Sequence, residues 1–146
     1  MTTEIIATRP DSPDAVQLIT ELEAVLAPQY PATSRHGYSV DKLIREGVAF
    51  FVMYHDGAPA GCGGVQFFAN EYGELKRMFV RPQFRGLGLA KRLITYLAEY
   101  SQQNNIPVLR LETGIHQIEA IALYEKTGFQ RVPPFGTYKE DPLSIF

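Results

Sequence analysis

The chain has 146 residues, 45% of them hydrophobic and 21% charged, with a formal net charge of −2 at pH 7. These values predict one globular domain over residues 1–146 and give no reason to expect nucleic acid or an anionic membrane as a partner. The longest apolar run, residues 48–54, is far shorter than the ~20 residues that cross a bilayer. A lone cysteine, Cys62, fits a reducing compartment, so we expect a cytoplasmic protein.

The first third of the chain predicts a short strand followed by two helices. Residues 4–8 alternate weakly between apolar and polar side chains, which indicates a strand. Ser12 then precedes a proline and an acidic residue, a typical N-cap, and apolar residues recur at helical spacing as far as Leu26. A loop rich in Pro, Ser and Gly spans residues 30–38, and residues 40–45 form a second, short amphipathic segment.

The middle of the chain predicts an antiparallel meander of three strands. Residues 48–54 have the composition of a buried strand, and the His-Asp-Gly sequence that follows is typical of a hairpin turn. Residues 60–69 and 74–80 supply the next two strands. The third of these strands leads directly into a turn with two glycines and then into a helix.

This strand-to-helix turn is the most informative feature of the sequence. Gly86 and Gly88 let the backbone adopt conformations that other residues avoid, and the first turn of the following helix leaves its N–H groups without intrahelical partners. Such amides at the positive end of a helix dipole bind phosphate or pyrophosphate. A Rossmann loop would need a third glycine where Lys91 stands, and no P-loop pattern is present.

The remainder of the chain predicts alternating helices and short strands. A helix follows the glycine turn and ends near residues 104–105. Its apolar stripe includes Leu89, Leu93 and Leu97. A short strand at residues 108–111 and a helix at residues 117–126 follow. Two last extended pieces, at 129–132 and 143–146, are separated by a Pro-Pro-Phe-Gly turn cluster.

Two motifs make the chain similar to the Gcn5-related N-acetyltransferase (GNAT) superfamily. Residues 83–88, Q-F-R-G-L-G, match its Q/R-x-x-G-x-G/A loop, and residues 117–129, Q-I-E-A-I-A-L-Y-E-K-T-G-F, resemble its N-x-x-A-x-x-L-Y-x-x-x-G-F signature. Gln117 stands where the commonest form has Asn. The resemblance covers essentially the whole chain. It implies an α/β fold with a mixed, mostly antiparallel twisted sheet of about seven strands, about four helices and a splay between two strands for acyl-CoA.

The resemblance also implies where acyl-CoA binds. The amides from about Phe84 to Ala90 would hold its pyrophosphate, and the edge of the 74–80 strand would pair with the pantetheine arm. A backbone N–H in this strand would polarise the thioester carbonyl. The implied cofactor-binding residues are Met78, Phe79, Val80, Gln83, Phe84, Arg85, Gly86, Leu87, Gly88, Leu89, Ala90 and Gln117. Of the nearby basic residues Arg81, Arg85, Lys91 and Arg92, we expect Arg85 to meet a phosphate because it lies inside the loop.

For the chemistry, the family places a tyrosine at the position of Tyr124 as the acid that protonates the departing CoA thiolate. The alternative is a core tyrosine with a satisfied hydroxyl. An amine acceptor must also lose a proton, which costs roughly 4–5 kcal/mol at pH 7 for a lysine-like amine. Glu74 matches a position where some members carry a base, and Glu112 is the second candidate, although either carboxylate also fits an exposed strand end.

The sequence therefore predicts an acyl-CoA-dependent N-acyltransferase. We expect acetyl to pass from acetyl-CoA to a primary amine of a small molecule or peptide by direct attack in a ternary complex. The alternative is a non-catalytic sensor domain that binds acyl-CoA or a nucleotide. The three histidines show no ligand-like spacing, so no metal is expected, and the resemblance implies a possible homodimer. Tyr30, His36, Tyr38 and Tyr138 are candidates for an acceptor pocket.

Overall fold

The computed structural model describes residues 2–146 and is built around a five-stranded sheet. Its strands lie side by side in chain order: β1 (Thr3–Ala7), β2 (Ala49–His55), β3 (Ala58–Phe68), β4 (Tyr72–Val80) and β5 (Leu109–Arg110). Neighbouring strands are antiparallel except β4 and β5, which are parallel. The three strands of the predicted meander lie within two residues of their predicted bounds.

Four α-helices and a small second sheet complete the domain. The helices are α1 (Pro13–Leu26), α2 (Val40–Arg45), α3 (Leu89–Gln103) and α4 (Ile118–Lys126), and the second sheet pairs β6 (Thr113–Gly114) with β7 (Ser144–Ile145). The long β4–α3–β5 connection is what a parallel strand pair requires, because no tight turn can join parallel neighbours. The α/β class is confirmed, but the seven described strands are divided between two sheets.

One face of the large sheet is covered by α1 and α2. The apolar stripe of α1 buries Leu18, Ile19 and Leu22 against a cluster that includes Val52 of β2 and Phe79 of β4. Burial of each such side chain contributes about 1.5–3 kcal/mol of hydrophobic free energy, before the entropy of ordering the chain is subtracted. This packing, more than local capping, therefore holds α1 in place.

The start of α1 differs from its prediction in one respect. Ser12 is the N-cap residue and Pro13 occupies the first helical position, as expected. The Ser12 hydroxyl, however, makes no capping hydrogen bond, and its buried oxygen has no hydrogen-bond partner within residues 2–146. The predicted capping contact is therefore wrong, and the proline and the buried stripe define this helix start.

The other face of the sheet is covered by α3. Leu89, Leu93 and Leu97 lie on its buried side and pack with Phe51 of β2 and Leu75 of β4. The stripe predicted from the sequence is confirmed by these contacts. Because α3 follows β4 directly, the same packing fixes the glycine turn between them at the carboxyl end of β4.

The sheet opens between β4 and β5. These strands pair only at Gly73 with Leu109 and at Glu74 with Arg110. Among residues 2–146, no strand lies beside β4 on that edge beyond Glu74. The splay implied by the resemblance is present, and it leaves backbone groups of β4 free to pair with a ligand.

A β-bulge bends β4 at the opening. Gly63 of β3 lies opposite both Arg77 and Met78, and Arg77 adopts a left-handed φ of 56°. The extra residue shifts the alternation of side chains, so Leu75 and Met78 both belong to the α3 side. The Arg77 guanidinium instead forms an ion pair with Glu23 of α1. Bulges of this kind commonly re-aim strands beside functional sites.

The C-terminal region departs from the prediction. Residues 129–132 form no strand, although the Val132 N–H donates to the carbonyl of Phe146 at 3.0 Å. Two prolines follow Val132 at once, and proline has no N–H to continue a ladder. The predicted last strand is reduced to the two residues of β7. Within residues 2–146 no helix has the length and apolar character needed to cross a membrane.

Candidate active site

A cleft of about 770 Å³ runs along the open edge of β4. One end is formed by the glycine turn and the first residues of α3. The other end lies between the loop after α1, the end of β5 and the C-terminal segment. The N-terminal half of α4 forms the opposite wall, so every element that carries a predicted site residue meets at this cleft.

The glycine turn has the backbone geometry that the sequence predicts. Gly86 and Gly88 have φ angles of +81° and +73°, and Gly88 is the N-cap residue of α3. A Cβ on either glycine would meet nothing within 4 Å, so backbone conformation and not space demands glycine here. No side chain caps the helix, which leaves its first amides free at the cleft.

Most of the predicted cofactor residues line this cleft. Those that do are Met78, Phe79, Val80, Phe84, Arg85, Gly86, Gly88, Leu89, Ala90 and Gln117. Gln83 and Leu87 do not, and both are exposed in the same turn. The structure thus brings the two sequence motifs to one cavity, although Gln117 lies 33 positions after Phe84.

The basic residues around the turn have different partners. Arg81 donates two hydrogen bonds to the carboxylate of Glu21, at 2.9 and 2.6 Å, and a third to the Pro59 carbonyl at 3.1 Å. Its guanidinium therefore fastens β4 to α1. Arg85 is exposed and lines the cleft, with only a 3.3 Å bond to the Val80 carbonyl. Arg85 is thus better placed than Arg81 to meet a phosphate.

Tyr124 projects from α4 into the wall of the cleft. Its ring is half-buried and packs edge-on against Phe129, with 5.5 Å between ring centroids. The hydroxyl has no hydrogen-bond partner among the described residues, which differs from the satisfied core tyrosine considered as the alternative. Burial raises the pKa of the Tyr124 phenol, so its proton is retained throughout the neutral range.

At the opposite end, Glu74 is the centre of a buried polar cluster. Only 2% of Glu74 is exposed, and one carboxylate oxygen accepts hydrogen bonds from Lys76 Nζ at 2.7 Å and from the Tyr138 hydroxyl at 2.6 Å. Lys76 Nζ also lies 3.9 Å from the centre of the Tyr38 ring. Burial lowers the pKa of Lys76, although Glu74 opposes that shift, and burial followed by Glu74 raises the pKa of Tyr138.

Glu112 lies just beyond β5 and lines the same end of the cleft. Burial raises the pKa of its carboxyl and outweighs the neighbouring groups that lower it, among them Ser144 and His36. A carboxylate with a raised pKa holds a proton more readily than an ordinary one. The structure therefore brings both carboxylates that the sequence left open as bases to one place.

The remaining candidates divide between cleft and core. Tyr30, His36 and Tyr138 line the cleft, whereas the Tyr38 ring packs beside it under Lys76. Within residues 2–146 no three His, Cys, Asp or Glu side chains gather as a metal-binding group. Cys62 is buried, and burial raises the pKa of its thiol to about 12, which leaves no nucleophilic thiolate at neutral pH.

Sequence reasoning missed the role of Lys76 and the bond between Tyr30 and Gln117. A signal for Lys76 exists, because residues two apart on a strand share a face and Glu74 is an acidic neighbour at that spacing. No local signal links Tyr30 to Gln117, which are 87 residues apart.

Comparisons with known proteins show which family the chain belongs to. Residues 16–129 match the model of the acetyltransferase (GNAT) family. An IAA acetyltransferase of Azospirillum brasilense is 41% identical over 90% of this chain and 86% of its own length. A Klebsiella pneumoniae structure assigned as an acyl-CoA N-acyltransferase superposes with a TM-score of 0.83 and 32% identity, over 99% of this chain and 94% of the other.

A structure of the PaiA N-acetyltransferase of Thermoplasma acidophilum, in complex with coenzyme A, shares the fold. Its TM-score is 0.78 with 20% identity, over 99% of this chain and 96% of the other. The chain belongs to the GNAT family of acetyltransferases. It is an acyl-CoA-dependent N-acetyltransferase that acts on an amine-bearing acceptor.

Proposed function

We propose that this enzyme transfers acetyl to a primary amine of a small molecule or peptide, by direct attack in a ternary complex. The single observation that carries the proposal is the shared cleft, which is lined by the open edge of β4, the glycine turn and Tyr124. Acetyl-CoA enters from the α3 side. The amine enters at the end lined by Glu74, Glu112 and Tyr138.

Binding of the cofactor follows from the free backbone groups. The pyrophosphate lies on the amides between Phe84 and Ala90, where the dipole of α3 favours negative charge. The pantetheine arm pairs with the open edge of β4, as an added strand does. A backbone N–H between Met78 and Val80 donates to the thioester oxygen as negative charge develops on it.

Tyr124 acts as the general acid. The phenol belongs to the cleft wall and is protonated at neutral pH, although the burial that raises its pKa also makes it a weaker acid. Exclusion of water from the cleft wall also raises the proton affinity of the departing thiolate. The proton therefore passes from the phenol to sulfur as the C–S bond breaks. No covalent enzyme intermediate is required.

The proton lost by the amine passes to a carboxylate at the acceptor end. Glu74 is the base that the family resemblance implies, but one of its oxygens already accepts bonds from Lys76 and Tyr138. Glu112 has a raised pKa and stands on the same side of the cleft. The environment favours Glu112 as the direct proton acceptor, with Glu74 holding the cluster in place.

The acceptor end suits an amine that carries an apolar or aromatic body. Glu112 attracts an ammonium group, whereas the charge of Glu74 is already paired with Lys76. The rings of Tyr30, His36 and Tyr138 form flat walls beside these carboxylates. The Azospirillum relative is named as an IAA acetyltransferase. From the lining of the acceptor end we place primary amines with an apolar or aromatic body first among the acceptors to be tried.

The test is release of free CoA thiol from acetyl-CoA with a panel of primary amines, amino acids and peptides. Tyr124→Phe lowers kcat by about 10²–10³-fold with the best acceptor and leaves the Kd for acetyl-CoA unchanged. Tyr96→Phe, on α3 outside the cleft, is the matched control and keeps the wild-type rate. Tight binding of acetyl-CoA without thiol release from any acceptor favours the sensor alternative and overturns the proposal.

A further inference from the structure

We infer that Tyr30 is a positioning residue for acetyl-CoA, because it fixes the side-chain amide of Gln117 with its N–H groups facing the cleft. The inference rests on the proposed function and on the contact between Gln117 and the cofactor that the family resemblance implies. It names a residue from the loop after α1, an element that contributes none of the predicted cofactor contacts.

Tyr30 connects two parts of the chain across the cleft. It is 6% exposed, and its hydroxyl accepts a hydrogen bond from the backbone N–H of His116 at 2.9 Å. The same hydroxyl lies 2.8 Å from Oε1 of Gln117, the residue that begins α4. The Tyr30 ring also packs on the imidazole of His116, with ring centroids 5.2 Å apart.

The direction of these hydrogen bonds determines the orientation of the amide. A backbone N–H can only donate, so the Tyr30 oxygen accepts from His116 and its own proton is left for Gln117. Only the carbonyl oxygen of the Gln117 amide can receive that proton. The amide nitrogen therefore faces away from Tyr30 with two free donors, and Gln117 lines the cleft.

Those free donors match the chemistry of the cofactor. The pantetheine arm of acetyl-CoA carries two amide carbonyls, and each needs a donor once the arm leaves water. A glutamine amide without an orienting partner would present oxygen or nitrogen, and presenting oxygen to a carbonyl is repulsive. Tyr30 removes that second orientation before the cofactor arrives, which reduces the cost of binding.

Packing around the Tyr30 hydroxyl indicates that its contacts are a specific feature of the fold. A Cβ on Gly114, in β6, would lie 2.0 Å from the Tyr30 oxygen, so only glycine lets the phenol reach His116 and Gln117. The side-chain length at position 117 also matters. Asparagine, which the common family motif has at this position, is one methylene shorter, so its amide oxygen falls short of Tyr30.

The first experiment measures the Kd for acetyl-CoA by calorimetry and the kinetic constants by thiol release. Tyr30→Phe keeps the ring and removes the hydroxyl. We expect it to raise both the Kd and the KM for acetyl-CoA by about 3–10-fold, which corresponds to the loss of one hydrogen bond. The kcat stays within about 2-fold of the wild-type value. Gln117→Glu retains an oxygen for Tyr30 but loses the amide donors, so it weakens binding while preserving the melting temperature.

A double-mutant cycle separates positioning from general structural support. In a Gln117→Met background, Tyr30→Phe costs no further affinity if Tyr30 acts through the Gln117 amide. Gly114→Ala provides an independent variant, because it displaces the phenol without altering it, and it gives the same loss of affinity as Tyr30→Phe.

An unchanged Kd in both Tyr30→Phe and Gly114→Ala overturns the inference. So does an equal loss of affinity in the wild-type and Gln117→Met backgrounds, or a fall in kcat without a rise in KM. These outcomes leave the proposed function standing as long as the wild-type enzyme releases CoA thiol. Failure of the wild type to release thiol removes the proposed function instead.

Discussion

At the level of single residues, the two acceptor-end carboxylates are distinguished by their partners. Glu74 accepts hydrogen bonds from Lys76 and Tyr138 and is almost fully buried. Removal of one partner from such a cluster leaves a buried charge unpaired, which costs about 3–5 kcal/mol. Glu112 owes its raised pKa chiefly to burial. Glu74 therefore stabilises the fold through its hydrogen bonds in a way that Glu112 does not.

This difference predicts separate pH profiles. The base works as the carboxylate, so kcat/KM rises with pH through the raised pKa of Glu112 and levels off above it. Glu112→Gln removes this acidic limb and lowers kcat by about 10²-fold. Glu74→Gln lowers the melting temperature but keeps the fall of kcat/KM at low pH.

The measurement is a pH–rate profile of each variant with one acceptor whose own amine pKa is known. Tyr124→Phe serves as the control. This variant reacts more slowly, but its rate falls at low pH in the same way as the rate of the wild type. If the limb disappears with Glu74→Gln and persists with Glu112→Gln, then Glu74 is the base.

At the level of elements, the site depends on how β4 is fastened to its neighbours. Arg77 and Arg81, which directly follows β4, tie one face of the strand to Glu23 and Glu21 of α1, while the edge of β4 away from β3 stays open beyond Glu74. Strand, turn and helix thus meet the ligand with their backbone groups. The side chains of Arg77 and Arg81 hold these elements together, whereas Arg85 is left at the cleft to meet the cofactor.

Substitutions of Arg81 and Arg85 test whether the first arginine supports the fold and the second binds the cofactor. Arg81→Ala removes the paired bonds to Glu21, a partly exposed contact worth about 1 kcal/mol, and lowers the melting temperature by roughly 2–4 °C. Its Kd for acetyl-CoA stays within about 2-fold of wild type. Arg85→Ala weakens acetyl-CoA binding and reduces the salt dependence of the Kd, with no change in melting temperature.

Calorimetry at two salt concentrations and thermal unfolding measure both effects. Arg92→Ala, an exposed cation on α3 outside the cleft lining, is the matched control. A larger loss of affinity in Arg81→Ala than in Arg85→Ala contradicts the assignment of Arg81 to the α1–β4 contact.

At the level of the whole molecule, ligand binding and stability are linked through the open sheet. Acetyl-CoA at 100 times its Kd stabilises the native state by ~2.7 kcal/mol, which raises the melting temperature of a domain of this size by roughly 5–10 °C. The amides of residues 75–80 also exchange more slowly with solvent, because the pantetheine arm covers the open edge of β4.

Differential scanning calorimetry and hydrogen exchange with and without acetyl-CoA measure these changes. Tyr124→Phe shows the same stabilisation, since the acid acts in the chemical step. Protection that appears on β1, the opposite edge of the sheet, and not on β4 contradicts the proposed binding mode.

Much of the fold and part of the site were predictable from local sequence. The glycine turn, the α3 stripe and the meander strands depend on backbone conformation and on repeats of two or 3.6 residues, which neighbours along the chain determine. The strand expected at residues 129–132 is absent because pairing needs a partner elsewhere in the chain. The hydrophobic pattern of four residues does not specify one.

The sequence by itself determined the family, the phosphate turn and the candidates Tyr124, Glu74 and Glu112. Only the tertiary structure decided what these groups touch. The contacts of Glu74 with Tyr138, Arg81 with Glu21 and Tyr30 with Gln117 join residues 64, 60 and 87 positions apart. Such contacts depend on how helices pack on the sheet, and no local propensity encodes the resulting distances or the burial that raises the pKa of Glu112 and Tyr124.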